Sequence, residues 1–493
     1  MIPRRVTVPQ LILGLSGFAV IAACVIRYLS FPSFWLDEAF VAVSLRSPTP
    51  RSIFAPLAYS QSFPRIYLSA IAALRDLFGY RIWVLRLLPS LSFVAATVLW
   101  ARLLAKRVGR YSGLAMLGGV LLLGSSFWLD QAIQLKQYTL DVLLALIPFS
   151  IGDDFYTEGL ADDKHRYKIA LLTLPCVVSY TYPIALVARV VGWYADRIRR
   201  EGWRLNAVGV LALVAPLATG LAGIWLTDHQ FNIQSRAALL GYWNDSILST
   251  RFKRGAGSGV GLLANFIWGW HHGRLMPLVI AAVAPLQVLG IWRVFDRWKN
   301  RRADPDDGWG SRTLGSLTLL TLVVLASAFA SYPIAAGRLV LFTQVHTQII
   351  AIEGMLFLQG WRVARRIAAV AVIAIIGVVT VYSVHRYIDF IRTEPIENIN
   401  PMLPLIKPEL ADEVLVHPCS VAQVESLPAP LPVERVVFER KNQLPQSGDR
   451  AWILWTNLSD DYCRDWLSEV RSRARTWQLI HEGPGRGLAL AEF

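Results

Sequence analysis

The feature that most constrains this chain is a series of long apolar runs separated by short polar connections. Eleven runs are suited to crossing a bilayer, at residues 10–29, 81–104, 111–129, 138–151, 168–180, 183–197, 205–227, 275–295, 313–331, 339–359 and 367–387. Several are shorter than the ~20 residues that a perpendicular helix needs. Of the 493 residues, 54% are hydrophobic and only 17% are charged, which is too apolar for a soluble protein of this size. The sequence therefore predicts an α-helical polytopic membrane protein with about eleven transmembrane helices and additional interfacial helices.

The basic residues predict the orientation of these runs. They gather in short connections at residues 106–110, 197–200, 293–302 and 362–366. Because such clusters stay in the cytoplasm, both the N-terminus and these connections are expected inside, and eleven crossings place the C-terminus outside. Orientation thus accounts for the formal charge of +14, and no nucleic-acid partner is predicted. The first run, which follows Arg4 and Arg5, is interpreted as an uncleaved anchor.

Four shorter segments are predicted to differ from full-length spans. Residues 63–78 form an amphipathic helix in the outer interface, since a crossing there would place Lys106 and Arg107 outside. Residues 260–270 have a similar interfacial composition. The runs 168–180 and 183–197 are interpreted as two half-length helices that meet at residues 179–183. Such a break is tolerated where backbone lines a cavity, so a cavity wall is predicted.

The pattern changes after residue 388, where prolines and short alternating apolar runs replace the long ones. This predicts a small extracytoplasmic α/β domain, and hence a division into residues 1–390 and 391–493. Cys419 and Cys463 in this tail form either a disulfide or two free thiols.

The acidic pair Asp37 and Glu38 follows the first span after a short segment that contains aromatic residues. Charges at a bilayer boundary cost desolvation energy unless they have a partner or a chemical role, so the pair predicts chemistry at the membrane surface. The alternative is that both acids merely begin an interfacial helix, where its dipole favours them.

Two cations, Lys136 and Arg338, lie at the outer boundary against the orientation bias. We expect them to hold an anion, and a phosphate headgroup is the obvious one. A cation about 4 Å from a phosphate contributes about 4 kcal/mol at intermediate dielectric. Asp37 is then a general base on a hydroxyl, and the cations stabilise a phosphate leaving group. Alternatively, Lys136 snorkels to lipid phosphates and Arg338 is an interface anchor.

Further polar residues are expected on the outer side, namely Tyr59, Gln61, Ser62, Arg65, Gln134, Gln137, Tyr138, Asp141, Trp243, Asn244, Asp245, His271, His272 and Tyr332. Asp141 is as compatible with capping a helix as with a role in the site. His271-His272 is more typical of a solvated pair than of a metal site. Arg189, within a span, is expected to pair with a carboxylate or with a lipid phosphate.

Five motifs in chain order carry a resemblance to a known family. They are Trp35-Leu36-Asp37-Glu38-Ala39; Ser62-Phe63-Pro64; Arg86-Leu87-Leu88-Pro89-Ser90; Leu135-Lys136-Gln137-Tyr138-Thr139-Leu140-Asp141; and Tyr332-Pro333 followed by Gly337-Arg338-Leu339. In type and order they resemble the polytopic glycosyltransferases of the GT-C superfamily, in the branch shared by protein O-mannosyltransferases and the lipid A aminoarabinose transferase. The resemblance covers about the first 390 residues.

The resemblance implies transfer of a sugar from a polyprenyl-phosphate carrier to an acceptor hydroxyl on the outer face, usually with inversion. It places Asp37 on the family's catalytic aspartate and residues 136–141 on the motif that lines the donor-phosphate and acceptor site. The family often has His-Pro-Pro or Lys-Pro where this chain has Phe63-Pro64, and Arg65 is the candidate replacement for the missing polar group.

The resulting hypothesis is a membrane glycosyltransferase of the bacterial inner membrane with its active site facing the periplasm. The expected site residues are Asp37 and Glu38 for catalysis; Lys136, Arg338 and Arg65 for the donor phosphate; and Gln61, Gln137, Tyr138, Asp141 and Tyr332 for sugar and acceptor. The expected partners are the donor, membrane lipid and an envelope acceptor. No cofactor or metal is expected, because cations can stabilise a single phosphate leaving group.

Two rival hypotheses remain open. A transporter or flippase of lipid-linked sugars also needs broken helices and outward cations, but is expected to show ionisable residues in mid-span and inverted repetition. A membrane-anchored scaffold would bind through its soluble tail, and would leave the outer acids and cations without a purpose.

Overall fold

The computed structural model divides the chain into two compact units. The first comprises Met1–Ile26, Ser62–Leu68 and Leu88–Ile391, and the second comprises Arg27–Gln61, Ser69–Leu87 and Arg392–Phe493. Within them, the structure describes residues 7–30, 32–46, 53–57, 59, 61, 63–108, 112–123, 129, 131–161, 165, 167–202, 206–229, 241, 243–268, 276–299, 309–329, 332–334, 339–359, 377, 381, 384–385, 387–388, 398–438, 448–456, 461–483 and 486–493.

Helices dominate the chain up to residue 359. In chain order they are α1 (Val8–Leu29), α2 (Leu36–Ser44), α3 (Arg65–Phe78), α4 (Ile82–Leu85), α5 (Leu87–Val108), α6 (Ser112–Leu123), α7 (Tyr138–Ser150), α8 (Asp153–Ala161), α9 (Tyr167–Thr173), α10 (Tyr182–Glu201), α11 (Ala207–Ile224), α12 (Leu248–Arg254), α13 (Ala256–Trp268), α14 (Met276–Lys299), α15 (Trp309–Phe329) and α16 (Gln344–Gln359). Short 3₁₀ turns lie at Leu174–Val177, Asn244–Ser246 and Leu341–Thr343, and a π turn at Trp225–His229 extends α11.

Within the described residues, five helical segments are long and apolar enough to cross a membrane: Val8–Leu29, Leu87–Arg107, Ala207–Asp228, Trp309–Phe329 and Leu341–Leu358. Three shorter apolar helices lie at Tyr138–Ser150, Tyr167–Val177 and Ala256–Ile267. The prediction of a polytopic helical membrane protein is confirmed. The number of eleven spans stays a prediction, since most of 367–387 lies outside the described residues.

The break between the fifth and sixth predicted runs is present. The turn Leu174–Val177 ends the first helical segment, and α10 begins at Tyr182. The Ser179 hydroxyl accepts hydrogen bonds from the backbone N–H groups of Thr181 at 3.3 Å and Tyr182 at 3.2 Å. It thereby satisfies donors that the start of a helix leaves unpaired. However, α10 has 20 residues, so only the first of the two helices is short.

Arg189, a buried charge in the middle of α10, has a carboxylate partner. Its guanidinium forms an ion pair with Asp153, the first residue of α8, and it also donates to the Ser311 hydroxyl at 3.1 Å. That hydroxyl in turn donates to both carboxylate oxygens of Asp153, at 2.9 and 3.0 Å. Of the two partners expected for Arg189, the structure shows the carboxylate.

Two helix pairs in the first unit approach at glycines. A methyl group added at Gly192 of α10 would lie 2.3 Å from the backbone nitrogen of Gly315 in α15. One added at Gly290 of α14 would lie 2.0 Å from the carbonyl oxygen of Ile350 in α16. Small residues permit such close backbone packing between apolar helices.

The C-terminal residues form the predicted α/β domain. Its strands are β1 (Glu413–Val416), β2 (Arg435–Phe438), β3 (Arg450–Trp455), β4 (Thr476–Gly483) and β5 (Arg486–Glu492), in the sheet order β2-β1-β3-β5-β4. β1 is parallel to β2 and β3, whereas β5 is antiparallel to β3 and β4. The helices are α17 (Val421–Glu425) and α18 (Asp461–Arg473).

Side chains alternate between the two faces along each strand, and each face of this sheet has its own hydrophobic core. Val414 and Trp452 belong to one buried cluster, whereas Leu415, Ile453 and Trp466 of α18 belong to the other. The side chains of Cys419 and Cys463 lie outside the described part of the chain, so both their bridged and free forms stay predictions.

The sheet domain shares its unit with residues 27–61 and 69–87. The sequence-based division counted these two segments with residues 1–390. In the structure, α2, α4 and most of α3 therefore belong to the same compact unit as the tail.

Candidate functional site

The acidic pair lies in the first turn of α2, in the second unit. Trp35 is the residue that caps this helix, and its backbone N–H lies 3.4 Å from Oε2 of Glu38. Asp37 and Glu38 thus have the position that the helix dipole favours, as the alternative interpretation of the pair expects. Glu38 is buried and Asp37 is half-buried.

Arg86 holds the Glu38 carboxylate with two hydrogen bonds. Its Nε donates to Oε1 at 2.9 Å and its Nη2 to Oε2 at 2.6 Å. The same guanidinium donates to the carbonyl oxygens of Pro32 at 2.6 Å and Ser33 at 3.1 Å, and lies 5.1 Å from the Phe34 ring centroid. One buried cation therefore ties the segment before α2 to its first turn. This two-pronged geometry favours a positioning role for Glu38.

The segment that carries Lys136 is held within the first unit by hydrogen bonds of residues before and after Lys136 in the chain. Thr139 donates its hydroxyl hydrogen to the carbonyl of Pro89 at 2.8 Å, and Ser90 donates to the carbonyl of Ala132 at 3.1 Å. Two of the sequence motifs, at residues 86–90 and 135–141, therefore contact each other. The start of α5 determines the position of the segment that carries Lys136.

The Lys136 side chain is buried and lies against the beginning of α3. Its Nζ is 5.1 Å from the centroid of the Phe63 ring, and its carbonyl oxygen accepts a hydrogen bond from the Tyr67 hydroxyl at 2.9 Å. With 3% of its surface exposed, Lys136 does not reach into solvent within this fold. Its ammonium instead lies beside the residue that precedes Pro64, where the resemblance expected a polar group.

Arg65 has a different environment from the one expected of a phosphate ligand. Its Nε lies 3.3 Å from Oδ1 of Asp228, in the π turn after α11, and both side chains are buried. Removing one partner from such a pair is strongly destabilising, because the other charge remains buried without compensation. A phosphate contact by Arg65, and its replacement of the polar group that the resemblance expected near Phe63, stay predictions.

Asp141 joins α7 to the helix break. Its Oδ1 accepts a hydrogen bond from the Ser179 hydroxyl at 2.5 Å, and that hydroxyl also lies 3.1 Å from Oγ1 of Thr181. Asp141 and Thr181 thus both lie at the Ser179 hydroxyl in the helix break.

Tyr332 lies three residues after the end of α15. Its hydroxyl donates to the carbonyl of Leu339 at 2.8 Å. Burial raises the pKa of the Tyr332 phenol, and the nearby Asp141 and Tyr138 raise it further. Asp141 and Tyr138 thus influence the Tyr332 phenol although long stretches of sequence separate them from it, and a shared role in binding sugar and acceptor stays a prediction.

The remaining predicted residues are more scattered. Gln137 precedes α7, and its buried Oε1 accepts no hydrogen bond from the residues that the structure describes. Gln61, in the second unit, donates through Nε2 to the carbonyl of Tyr59 at 3.4 Å. Arg338 and the pair His271-His272 lie outside the described residues. Within the described ranges, no group of three His, Cys, Asp or Glu side chains is arranged to hold a metal ion.

Sequence reasoning did not assign roles to Arg86, Asp228 or Ser179. Arg86 is a charged residue near the start of the apolar run 81–104 and Asp228 directly follows the run 205–227, which is a detectable signal. Their partners, Glu38 and Arg65, are 48 and 163 positions away in the chain, so hydropathy gave no indication of the pairing.

Comparisons with known proteins find two solved structures that are similar to this chain. No family model matches the chain, and neither does any curated protein. Among solved structures, the chain is similar to ArnT from Cupriavidus metallidurans bound to undecaprenyl phosphate, with 14% identity and a TM-score of 0.45. The apo structure of the same protein has 13% identity and a TM-score of 0.41. Each similarity covers 97% of this chain and 98% of ArnT.

Proposed function

We propose that this protein is an integral membrane glycosyltransferase. It moves a sugar from a polyprenyl-phosphate-linked donor to an acceptor hydroxyl of a cell-envelope glycan, lipid or protein. The observation that carries the proposal is the arrangement of the acidic pair at the start of α2. Arg86 engages Glu38 on both carboxylate oxygens, and Asp37 is the adjacent, half-buried acid in the same helical turn.

Asp37 is assigned as the general base. It takes the proton of the acceptor hydroxyl as that oxygen attacks the anomeric carbon of the sugar. The bond between the anomeric carbon and the phosphate oxygen breaks, and its electron pair leaves with the polyprenyl phosphate. Attack from the face opposite the leaving group inverts the configuration at the anomeric carbon.

Lys136 is assigned to the donor phosphate, together with Arg338. A cation that is held in place before the reaction stabilises the negative charge that develops on the leaving phosphate. The buried Lys136 ammonium suits this role, because a low-dielectric environment strengthens its interaction with an anion. Arg65 is the third predicted phosphate ligand, and its pairing with Asp228 makes it the least favoured of the three.

The other predicted residues are assigned to sugar and acceptor. Tyr138, Asp141 and Tyr332 supply hydroxyl and carboxyl side chains in the first unit. Gln137 adds a buried amide oxygen that is suited to accept a hydrogen bond from a sugar hydroxyl. Gln61 is assigned to the acceptor. The reaction is placed on the periplasmic side of a bacterial inner membrane, following the distribution of basic connections.

Transport of lipid-linked sugars is the second candidate function. The helix break at residues 178–181 favours it, because unwound segments are typical of transporter binding sites. A transporter moves the intact donor lipid and releases no free polyprenyl phosphate, so the products distinguish the two functions.

The direct test is an assay of the purified protein with a panel of polyprenyl-phosphate sugars, with undecaprenyl phosphate as the carrier. We expect release of free carrier phosphate together with a glycosylated acceptor. Asp37→Asn should abolish both products without changing the thermal stability. Asp76→Asn is the matched control, because Asp76 is an exposed acid that pairs with the neighbouring Arg75, and it should retain full activity.

Two results would contradict the proposal. Full activity of Asp37→Asn would remove the general base. Transport of the donor lipid without release of carrier phosphate, for every sugar in the panel, would favour the transporter instead.

A further inference from the structure

The segment that leads into α2 is bound by residues that precede the C-terminal sheet. The backbone N–H of Ser33 donates to Oδ1 of Asn398 at 2.9 Å. In the opposite direction, the backbone N–H of Ile399 donates to the Ser33 hydroxyl oxygen at 2.9 Å. Ser33, Asn398 and Ile399 are all buried, so water does not compete for these bonds. The chain just before Asp37 is therefore held by a reciprocal pair of hydrogen bonds from the tail.

The far end of α2 is held by the same domain. α17 packs against α2. The Tyr80 hydroxyl lies 3.0 Å from the carbonyl oxygen of Ala42 in α2 and 3.0 Å from that of Ser426, directly after α17. Arg46 donates to the carbonyl of Glu425 at 2.6 Å. Both ends of the acid-bearing helix thus contact the C-terminal domain.

Tyr59 adds a strained contact to the same arrangement. Its φ of 56° is in the left-handed region, which is unfavourable for a residue other than glycine. The Tyr59 hydroxyl donates to Oε2 of Glu425 at 2.5 Å, and its ring stacks on Phe40 of α2 at 4.6 Å between centroids. These contacts hold Tyr59 in this backbone conformation although the conformation itself is energetically unfavourable.

These contacts matter because α2 is too short to be stable alone. It has nine residues, and isolated helices below about 12 residues are marginal in water. Tertiary contacts must therefore determine its position, and the C-terminal domain supplies a large share of them. A catalytic group has to be held within about 0.5 Å of its productive position to be effective.

We infer that the C-terminal sheet domain is a positioning element for the proposed reaction, with Asn398 as the positioning residue for the helix that carries Asp37. The catalytic meaning of this inference rests on the proposed glycosyltransferase function. The hydrogen bond between Ser33 and Asn398 does not depend on that function, because hydrogen exchange tests its effect on α2 without any activity measurement. The domain then acts by orienting the base rather than by binding a separate partner.

The test compares three variants of the full-length protein in detergent or nanodiscs. Asn398→Ala removes the acceptor for the Ser33 N–H, whereas Asn398→Asp keeps a carboxyl oxygen at that position. Val470→Ala is the control for general loss of stability, because Val470 is a buried residue of α18 in the opposite core of the sheet. For each variant we measure the melting temperature, hydrogen exchange of residues 33–45, and kcat and KM.

We expect Asn398→Ala to accelerate exchange in residues 33–45 and to lower kcat by about tenfold with little change in KM, since misplacement of a catalytic group reduces the rate. Asn398→Asp should bring both the exchange of residues 33–45 and kcat most of the way back to the wild-type values. Val470→Ala should lower the melting temperature at least as much but leave the exchange of residues 33–45 and kcat unchanged.

Unchanged exchange of residues 33–45 in Asn398→Ala would overturn the inference, whatever the activity. Equal losses of kcat in Asn398→Ala and Val470→Ala would also overturn it, because the domain would then only need to be folded. If the wild-type protein transfers no sugar from any donor, the proposed function fails, and the exchange measurement still decides whether Asn398 holds α2.

Discussion

Replacement of Gly290 by alanine tests the closest helix contact in the first unit. The added methyl group would lie 2.0 Å from the carbonyl oxygen of Ile350 and 3.0 Å from the backbone nitrogen of Gly354. Carbon and oxygen atoms in ordinary contact are about 3.4 Å apart. Because the obstructing atoms belong to the backbone, no side chain can rotate away. α14 and α16 therefore have to separate locally by more than about 1 Å.

The magnitude follows from two opposing effects. Overpacking of a well-packed interface costs about 1–3 kcal/mol, and a clash with backbone lies at the upper end of that range. Alanine is better than glycine in a helix by about 1 kcal/mol, which offsets part of the cost. We expect Gly290→Ala to lower the free energy of unfolding by about 2 kcal/mol, which is about a 30-fold change in the ratio of folded to unfolded protein.

The assay is thermal or denaturant unfolding of the purified protein in detergent micelles, followed by tryptophan fluorescence. Gly14→Ala is the matched control, since Gly14 also lies inside a helix, α1, and a methyl group there has no neighbour within 4 Å. The control should be neutral or slightly stabilising. A Gly290→Ala protein that is as stable as the control would refute the close approach of α14 and α16.

The remaining predictions concern charges. Lys136→Met should lower kcat/KM by about 100-fold, and Phe63→Lys should restore part of this loss in the Lys136→Met background because it returns a cation to the same place. A double variant as inactive as the single one would contradict this placement. Arg86→Met should cost about 3–5 kcal/mol in unfolding experiments, since it leaves Glu38 buried without its cation. Arg65→Met should lower the melting temperature for the same reason, whereas a raised KM for the donor at unchanged stability would restore Arg65 as a phosphate ligand.

Local patterns were sufficient to predict much of the architecture. The five helical segments at Val8–Leu29, Leu87–Arg107, Ala207–Asp228, Trp309–Phe329 and Leu341–Leu358 coincide closely with predicted runs. The break before Tyr182 and the sheet domain after residue 398 were also predictable. Hydropathy, proline positions and strand alternation are properties of neighbouring residues, so they are visible without the fold.

The candidate site was predictable only in part. Asp37, Lys136 and Asp141 are candidates because of their unusual places near the ends of apolar runs, and their roles stay predictions. Their surroundings were not predictable, because the partner of a buried charge is chosen by packing. For example, Arg189 forms an ion pair with Asp153, and the Lys136 ammonium lies over the Phe63 ring.

The sequence by itself determined that this chain is a helical membrane protein with a small C-terminal α/β domain, because burial of apolar side chains in lipid or in a core is decided by local composition. Tertiary structure alone decided that Arg86 engages Glu38 and that Asn398 binds the chain before Asp37. These contacts join residues that are 48 and 365 positions apart. Such pairs arise only when distant segments fold against each other, since the energy of a buried hydrogen bond depends on geometry in space and leaves no periodic trace along the chain.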